Sequence, residues 1–421
     1  MAITLSNIAF TDEDDIVPPS GAEPIFVGST VNTLAGDDII NGGNDTNTTD
    51  ISFFNFTGTL NTNSGNDLIS GTPRGIVNSG SINPGDEGVA TINTGDDNDT
   101  ITGITSLNGG SGIYNVIGII DTGDGNDIIT GIGGTYGIFT EITTINTGNG
   151  DDIITAIGDE TGIHSRIDTT INTGDGNDII TATGDVAVGI LLLNGAIDTG
   201  EGNDIINGTG GYIGLVFSMG DFNPLESRVH TGEGDDIITG TGGGYGITSD
   251  YIDTGNGDDI ISGTGNEYGI ESGYINTGNG DDTISGTSSQ RGIRSYEAIE
   301  TGEGKDIITS TGVICNEGVI ETGNGADSII ADGGFEGIGY VSLGEGEDYL
   351  KGSGSGEFSG GNGNDTLELT SGTYTVGRWY TAVTFTKGSN IMIASEFEKL
   401  IAGSTLYDFT SLTKGQTITV A

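Results

Sequence analysis

The chain has 421 residues and carries 61 acidic against 11 basic side chains, a formal net charge of -50, with 80 glycines, one cysteine and one tryptophan. So few Lys and Arg in so negative a field exclude a nucleic-acid binder, which needs cations to displace counterions from phosphates. Cys315 alone excludes a disulfide framework, and no apolar run approaches the roughly 18 residues of a membrane helix. Low hydrophobicity with high net charge normally reads as disorder, so the fold depends on whether the charge is scattered or placed.

The first residues, MAITLSNIAFTDEDDIVPPSGAEP, contain no basic region, no apolar stretch of useful length and no small-residue cleavage site. A cleaved secretory signal is therefore not expected. The acidic cluster Asp12, Glu13, Asp14 and Asp15, followed by Pro18, Pro19 and Pro24, marks 1–32 as a flexible or capping N-terminal segment.

From 33 to 369 one short phrase recurs. It reads TGDGNDIIT at 122–130 and 173–181, TGNGDDIIT at 147–155, TGEGNDIIN at 199–207, TGEGDDIIT at 231–239, TGNGDDIIS at 254–262 and TGNGDDTIS at 277–285, with shorter or decayed copies on either side. Its closing aspartate falls at Asp38, Asp67, Asp99, Asp127, Asp152, Asp178, Asp204, Asp236, Asp259, Asp282, Asp306, Asp327, Asp348 and Asp365, 14 copies at a mean interval of about 25 residues. Such a series predicts a solenoid, because each repeat stacks only on its neighbours while loops of variable length bulge from one side.

Between the phrases, isoleucines recur in threes. Ile261, Ile270 and Ile275 of one copy correspond to Ile238, Ile247 and Ile252 of the copy before, and an earlier copy offers Ile129, Ile138 and Ile145. Each coil thus supplies about three short β-branched segments separated by glycine-rich turns, each with one isoleucine to point inward. The expected fold is all-β: a parallel β-solenoid, of the β-roll or three-sided β-helix kind, with about 14 coils. Three buried isoleucines do not offset the entropy of ordering a whole glycine-rich coil, so a further stabiliser is expected.

The carboxylates say what it is. Stacking places the closing aspartates in a column at the strand spacing of about 4.8 Å, where unneutralised like charges repel. Cations between the rungs remove that repulsion. The metal ligands expected are the 14 closing aspartates, together with turn carbonyls near Gly123, Gly125, Gly148, Gly150, Gly174, Gly176, Gly200, Gly202, Gly232, Gly234, Gly255, Gly257, Gly278, Gly280, Gly361 and Gly363. An all-oxygen donor set with variable turns suits calcium better than magnesium, and one ion per gap gives up to about 13 Ca2+. The residue before each opening threonine, as at Asp121, Asn146, Asn172, Asp198, Asp253, Asn276, Glu300 and Glu321, either adds ligands or forms a side-chain amide and carboxylate ladder at a solvated turn.

The repeat resembles the hemolysin-type calcium-binding (RTX) family, whose nonapeptide is G-G-x-G-x-D-x-U-x with U a large apolar residue. GGNGNDTLE, from Gly360 to Glu368, matches every fixed position. Most other copies replace the first glycine by threonine, as at Thr122, Thr147, Thr173, Thr199, Thr231, Thr254, Thr277, Thr301 and Thr322, which bears on the turn geometry. The resemblance implies aspartate carboxylates and turn carbonyls as calcium ligands. The family's coil holds two such turns in 18 residues, whereas here one turn occurs about every 25, so one ion column along one edge is expected.

The segment 370–421 differs in kind. Arg378, Lys387, Lys399 and Lys414 outnumber Glu396, Glu398 and Asp408, and alternation in TYTVGRWYTAVTFT reads as paired strands. It is expected to be a C-terminal β cap over the open end of the solenoid. The resemblance implies, in addition, an uncleaved signal there for type I secretion machinery.

These features point to a secreted calcium-binding repeat protein that folds on calcium after export, extracellular or at the cell surface, with a structural or adhesive role, a cell-surface polysaccharide as candidate partner, and no enzymatic activity. The alternative is a polysaccharide lyase or epimerase, enzymes that three-sided β-helices also resemble. Arg166, Arg228, Arg291 and Arg294 are the only arginines between 75 and 370, and Arg291 and Arg294, near Tyr296, are its best candidates. Thr-x-Thr pairs such as Thr181/Thr183 and Thr239/Thr241 give a minor alternative, an ice-binding solenoid. His164 and His230 are isolated, and Cys315 is expected to be a small apolar replacement in the core or at a turn.

Overall fold

A computed structural model describes 3–17, 23–43, 51–81, 88–105, 109–218 and 227–421. Pro18 and Pro19 of the N-terminal segment lie outside the described residues. The chain forms two compact units, Met1–Gly232 and Glu233–Ala421, and each is a stack of mainly parallel strands with almost no helix.

In unit 1 one coil runs Ile128–Gly133, Tyr136–Glu141 and Thr143–Asn146, after which the next glycine-rich turn begins. Alternate residues of the first strand are buried, as the period-2 pleat of a half-buried strand requires. The second and third strands are separated by Ile142, which bends the chain at φ +52°, and Ile117 and Asn194 bend it at the corresponding corners with φ +49° and +56°. Every strand pairs in parallel with its counterpart one coil away, for example Ile129 with Ile154 and Ile154 with Ile180. The expected three apolar columns are present: Ile129, Ile154 and Ile180; Ile138, Ile163 and Ile190; Ile145, Ile171 and Ile197 are all fully buried.

Unit 2 repeats the plan with longer second strands. Tyr245–Asp253 and Tyr268–Asn276 each run through the corner without interruption. Ile247, Ile270 and Ile293 fill one interior column, and Ile252, Ile275 and Ile299 another. The fold is thus the expected all-β parallel solenoid.

Its two ends extend the stack in different ways. The sequence reading began the solenoid at residue 33, whereas strand pairing runs back to Ile3, where Ile3–Thr4 pairs in parallel with Ile25–Val27 and Leu5 is buried. These residues lack the glycine-aspartate phrase but carry apolar side chains at the right register. In the C-terminal segment, Asn390–Ser395 and Lys399–Ala402 continue the parallel ladders of Gly356–Ser359 and Thr366–Leu369. Gly372–Trp379, Ala382–Lys387 and Thr417–Val420 then fold antiparallel, burying Tyr374, Phe385 and Phe409.

The turns stack so closely that a side chain has no room. A β-carbon on Gly150, held at φ +143°, would lie 1.8 Å from the carbonyl oxygen of Gly125. Gly388, at φ +63°, has nothing within 4 Å of the same position. Gly150→Ala is expected to destabilise the calcium-loaded chain by more than about 2 kcal/mol, and Gly388→Ala by only about 1 kcal/mol, as read from urea denaturation.

Candidate metal site: the interior aspartate column

Twelve of the 14 turn phrases contribute two interior residues, an opening threonine and the closing aspartate five positions later; before Asp348 and Asp365 the opening position holds Leu343 and Gly360. All 14 closing aspartates are at most 2% exposed. They form a column in each unit. In unit 1 the backbone N–H of Asp99 donates to Oδ1 of Asp127 at 2.7 Å, Asp127 to Asp152 at 2.7 Å, and Asp152 to Asp178 at 2.8 Å. In unit 2 Asp259 donates to Asp282 at 2.9 Å and Asp327 to Asp348 at 2.8 Å. One oxygen of each carboxylate is thereby spent on holding its neighbour coil in register.

Residues without the phrase extend the column at its start in unit 1 and at its end in unit 2. The N–H of Asp15 donates to Oδ1 of Asp38 at 2.9 Å, and the N–H of Asp365 donates to Oε2 of Glu398 in the C-terminal segment at 2.8 Å. Glu398 therefore stands where a further closing aspartate would.

The second oxygen is the unusual one. Oδ2 of Asp38, Asp67, Asp99, Asp127, Asp152 and Asp178 is buried and takes no hydrogen bond among the described residues, and the same holds for Asp259, Asp327, Asp348 and Asp365 in unit 2. A buried carboxylate oxygen without a donor costs free energy. The electrostatics register it: burial pushes Asp99 and Asp259 up to about 8, Asp152, Asp282 and Asp327 to about 7, and Asp67, Asp127, Asp178 and Asp348 to about 6. The backbone N–H that each of these carboxylates accepts from the coil before offsets part of that rise.

The sequence reading took that threonine as a replacement for the first glycine of the nonapeptide; the structure adds where its side chain goes. Thr122, Thr147, Thr173 and their counterparts are fully buried and stack inward beside the aspartates. In unit 2 Thr277 and Thr301 donate to Oδ2 of Asp282 and Asp306 at 2.5 and 2.6 Å. In unit 1 Thr122 and Thr147 send their one proton along the column instead, to the carbonyls of Thr147 and Thr173 at 3.4 Å, so Oδ2 stays without a donor.

All 16 turn glycines named from the sequence adopt positive φ. In unit 1 the carbonyls of Gly123, Gly125, Gly148, Gly150, Gly174 and Gly176 accept no hydrogen bond from described residues. The turn therefore holds two kinds of oxygen with spare lone pairs, carboxylate and carbonyl, and that donor set fits a hard divalent cation. No group of three or more His, Cys, Asp or Glu side chains gathers anywhere among the described residues, so carbonyls and water would have to complete any coordination shell.

The residues before the threonines form the ladder alternative. Asn146 Nδ2 donates to Asp121 Oδ1 at 2.8 Å, Asn172 to Asn146 at 2.7 Å, and Asn276 to Asp253 at 2.8 Å. Farther along unit 2 the glutamates at this position, Glu300 and Glu321, join Asn276 and Asn279 in lining an open cleft of about 270 Å³. Sequence reasoning missed a further pair of outer rows at the turn. There the Asp151 carboxylate accepts from both the backbone N and Nδ2 of Asn177, at 2.9 and 3.0 Å.

Arg166, Arg291 and Arg294 lie against carboxylates of other coils. Arg294 reaches Glu271 at 3.3 Å and Glu317 at 2.9 Å and stacks on Tyr296 at 4.3 Å, while Arg291 reaches Glu336 at 3.5 Å and Arg166 reaches Glu141 at 3.3 Å. Cys315 is neither in the core column nor at a turn. It is buried on the outer side of its strand, in register with Arg294 and Glu336, with its thiol beside Glu317 at 3.9 Å.

No family model matches the chain, and no curated protein matches it. Among solved structures it is similar to a hyperactive, Ca2+-dependent, β-helical antifreeze protein from an Antarctic bacterium, at 17% identity and a TM-score of 0.36, over 96% of this chain and 93% of that one. No helix among the described residues is long and apolar enough to cross a membrane.

The pH dependence follows from the raised carboxyl pKa values. Each such aspartate binds its proton more tightly folded than unfolded, where the value is 3.8. The contribution to stability is therefore present below about pH 4 and is lost as the pH rises through 6 to 8. In chelator the melting temperature is expected to fall from pH 4 to pH 8. In excess calcium it is expected to rise over the same range, because a metal ligand must be deprotonated. Parallel slopes in the two buffers would contradict the assignment of these carboxylates.

Proposed function

We propose that the chain is a secreted calcium-binding repeat protein of the RTX-like type, folded by calcium after export and acting as a structural or adhesive component outside the cell. The observation that carries this reading is the column of buried carboxylate oxygens that, at positions such as Asp99, Asp127, Asp152 and Asp178, take no hydrogen bond among the described residues. The closing aspartates and the turn carbonyls are the groups that would hold the metal. Calcium, when bound, supplies positive charge and accepts spare lone pairs from both kinds of oxygen.

The remaining parts of the reading follow from the same chemistry. Where calcium is scarce, a chain with net charge -50 repels itself and stays extended enough for transport; where it is abundant, metal binding becomes folding free energy. A type I export signal in the C-terminal segment and a cell-surface polysaccharide partner belong to this proposal. We read the protein as non-enzymatic, since Arg166, Arg291 and Arg294 are each engaged with glutamates. A second reading, contact with ice, is favoured by one observation, an uncharged hydroxyl-bearing face on an otherwise acidic chain.

Far-ultraviolet circular dichroism during calcium titration tests the main reading. A cooperative gain of β signal is expected, reversed by chelator. A full β spectrum in excess chelator at neutral pH would sink it. Asp152→Asn removes one carboxylate without changing its shape, and is expected to lower the number of ions bound at saturation and to leave the rest of the titration in place.

A further inference from the structure

The first strand of each coil in unit 1 presents three outward columns. The middle one is hydroxyl-bearing, with Thr102, Thr130, Thr155 and Thr181 in unbroken register. Isoleucines flank it, Ile128 and Ile153 on one side and Ile132 and Ile157 on the other, three of them exposed by 37 to 41%. From Leu68–Gly71 to Ile205–Gly210 no outward position of these strands carries a charge or an aromatic ring. On a chain with 61 acidic residues that is a segregated surface.

A second observation separates this face from the other ladders. The turn rows satisfy their own polar groups, as Asp151 does with Asn177. The hydroxyls of Thr102, Thr130, Thr155 and Thr181 have no protein partner among the described residues, and are offered to solvent at every coil. Parallel stacking fixes them at about 4.8 Å along the solenoid, with methyl-bearing neighbours about 6.6 Å away along each strand. The face is a rigid two-dimensional lattice of hydroxyls and methyls.

We propose that this Thr/Ile face of unit 1 is the surface that docks on ice, an inference that rests on the second functional reading above. A neutral face on a strongly acidic protein selects a neutral partner, since ions would hold their own hydration shells and resist an ordered layer. A regular, unsatisfied hydroxyl lattice selects a partner that is itself periodic and can both donate and accept hydrogen bonds, which the water lattice of ice does. The lack of any aromatic ring removes the stacking platform that a sugar surface would use. A second copy of the chain would bring two like-charged bodies together. The closing aspartate immediately precedes the first outward residue, as Asp127 precedes Ile128, so ordering of the turns also orders the face.

The test uses the full chain in excess calcium and measures its partition into slowly growing ice. Thr155→Tyr raises a bulky ring in the middle of the face, and Asp151→Tyr places the same ring on the turn row as a control. The wild type and Asp151→Tyr are expected to enter the ice, and Thr155→Tyr to be excluded while keeping the wild-type β spectrum. Thr181→Tyr, one strand along, replaces Thr155→Tyr if that variant does not fold. Exclusion of the folded wild type would overturn the ice reading and the face together. Entry of a folded Thr155→Tyr, or exclusion of Asp151→Tyr instead, would leave the ice reading standing and overturn the face. Sedimentation showing a wild-type dimer that Thr155→Tyr makes monomeric would also overturn it, marking a self-association surface.

Discussion

The structure depends on one constraint, the stacking of buried carboxylates. Each coil delivers an aspartate to the same interior position, and each aspartate does two incompatible things. Through Oδ1 it ties the next coil's backbone N–H, as between Asp127 and Asp152, which sets the register of every strand that follows. Through Oδ2 it brings a desolvated negative charge next to another one. Hydrogen bonding rewards the column; Coulomb repulsion and burial oppose it. A proton or a metal ion resolves the conflict, and the two resolutions have opposite pH dependence.

The other features of the turn follow from keeping that column intact. Positive φ at paired glycines lets the turn backbones of successive coils approach so closely that a β-carbon would strike the carbonyl of the coil before. The interior threonine stacks beside the carboxylate in all phrases but those of Asp348 and Asp365. The isoleucine columns then fill the rest of the interior, and the strands between them have their outward positions free for other uses. One such use is the uncharged Thr/Ile lattice, which can be flat and regular only because the register behind it does not slip.

Much of this was legible in the sequence because a solenoid writes its third dimension into its period. The phrase spacing locates all 14 closing aspartates, and the recurring isoleucines mark three interior columns. What was not legible has physical reasons. The threonine's side depends on whether the turn begins before or after it, and a substitution read against a family pattern hides that choice. The coils near Ile3 and Ile25 lack the phrase, and their place in the stack shows only in parallel pairing and in the bond from Asp15 N–H to Asp38. Glu398 completes the aspartate column from a segment of different composition, a contact between residues 33 apart that no local pattern records. The two roles open to the residues before the threonines could be separated only by seeing Asn146 bond to Asp121.

The central claim is that the carboxylate column is a metal column. Native mass spectrometry of the full chain, purified in calcium and exchanged into volatile buffer, counts the ions directly. The account predicts a loaded species with roughly one calcium for each gap between successive aspartates, collapsing to the metal-free mass and a broad, highly charged envelope after chelation. A compact, narrow envelope at the metal-free mass from the calcium-purified protein would contradict it.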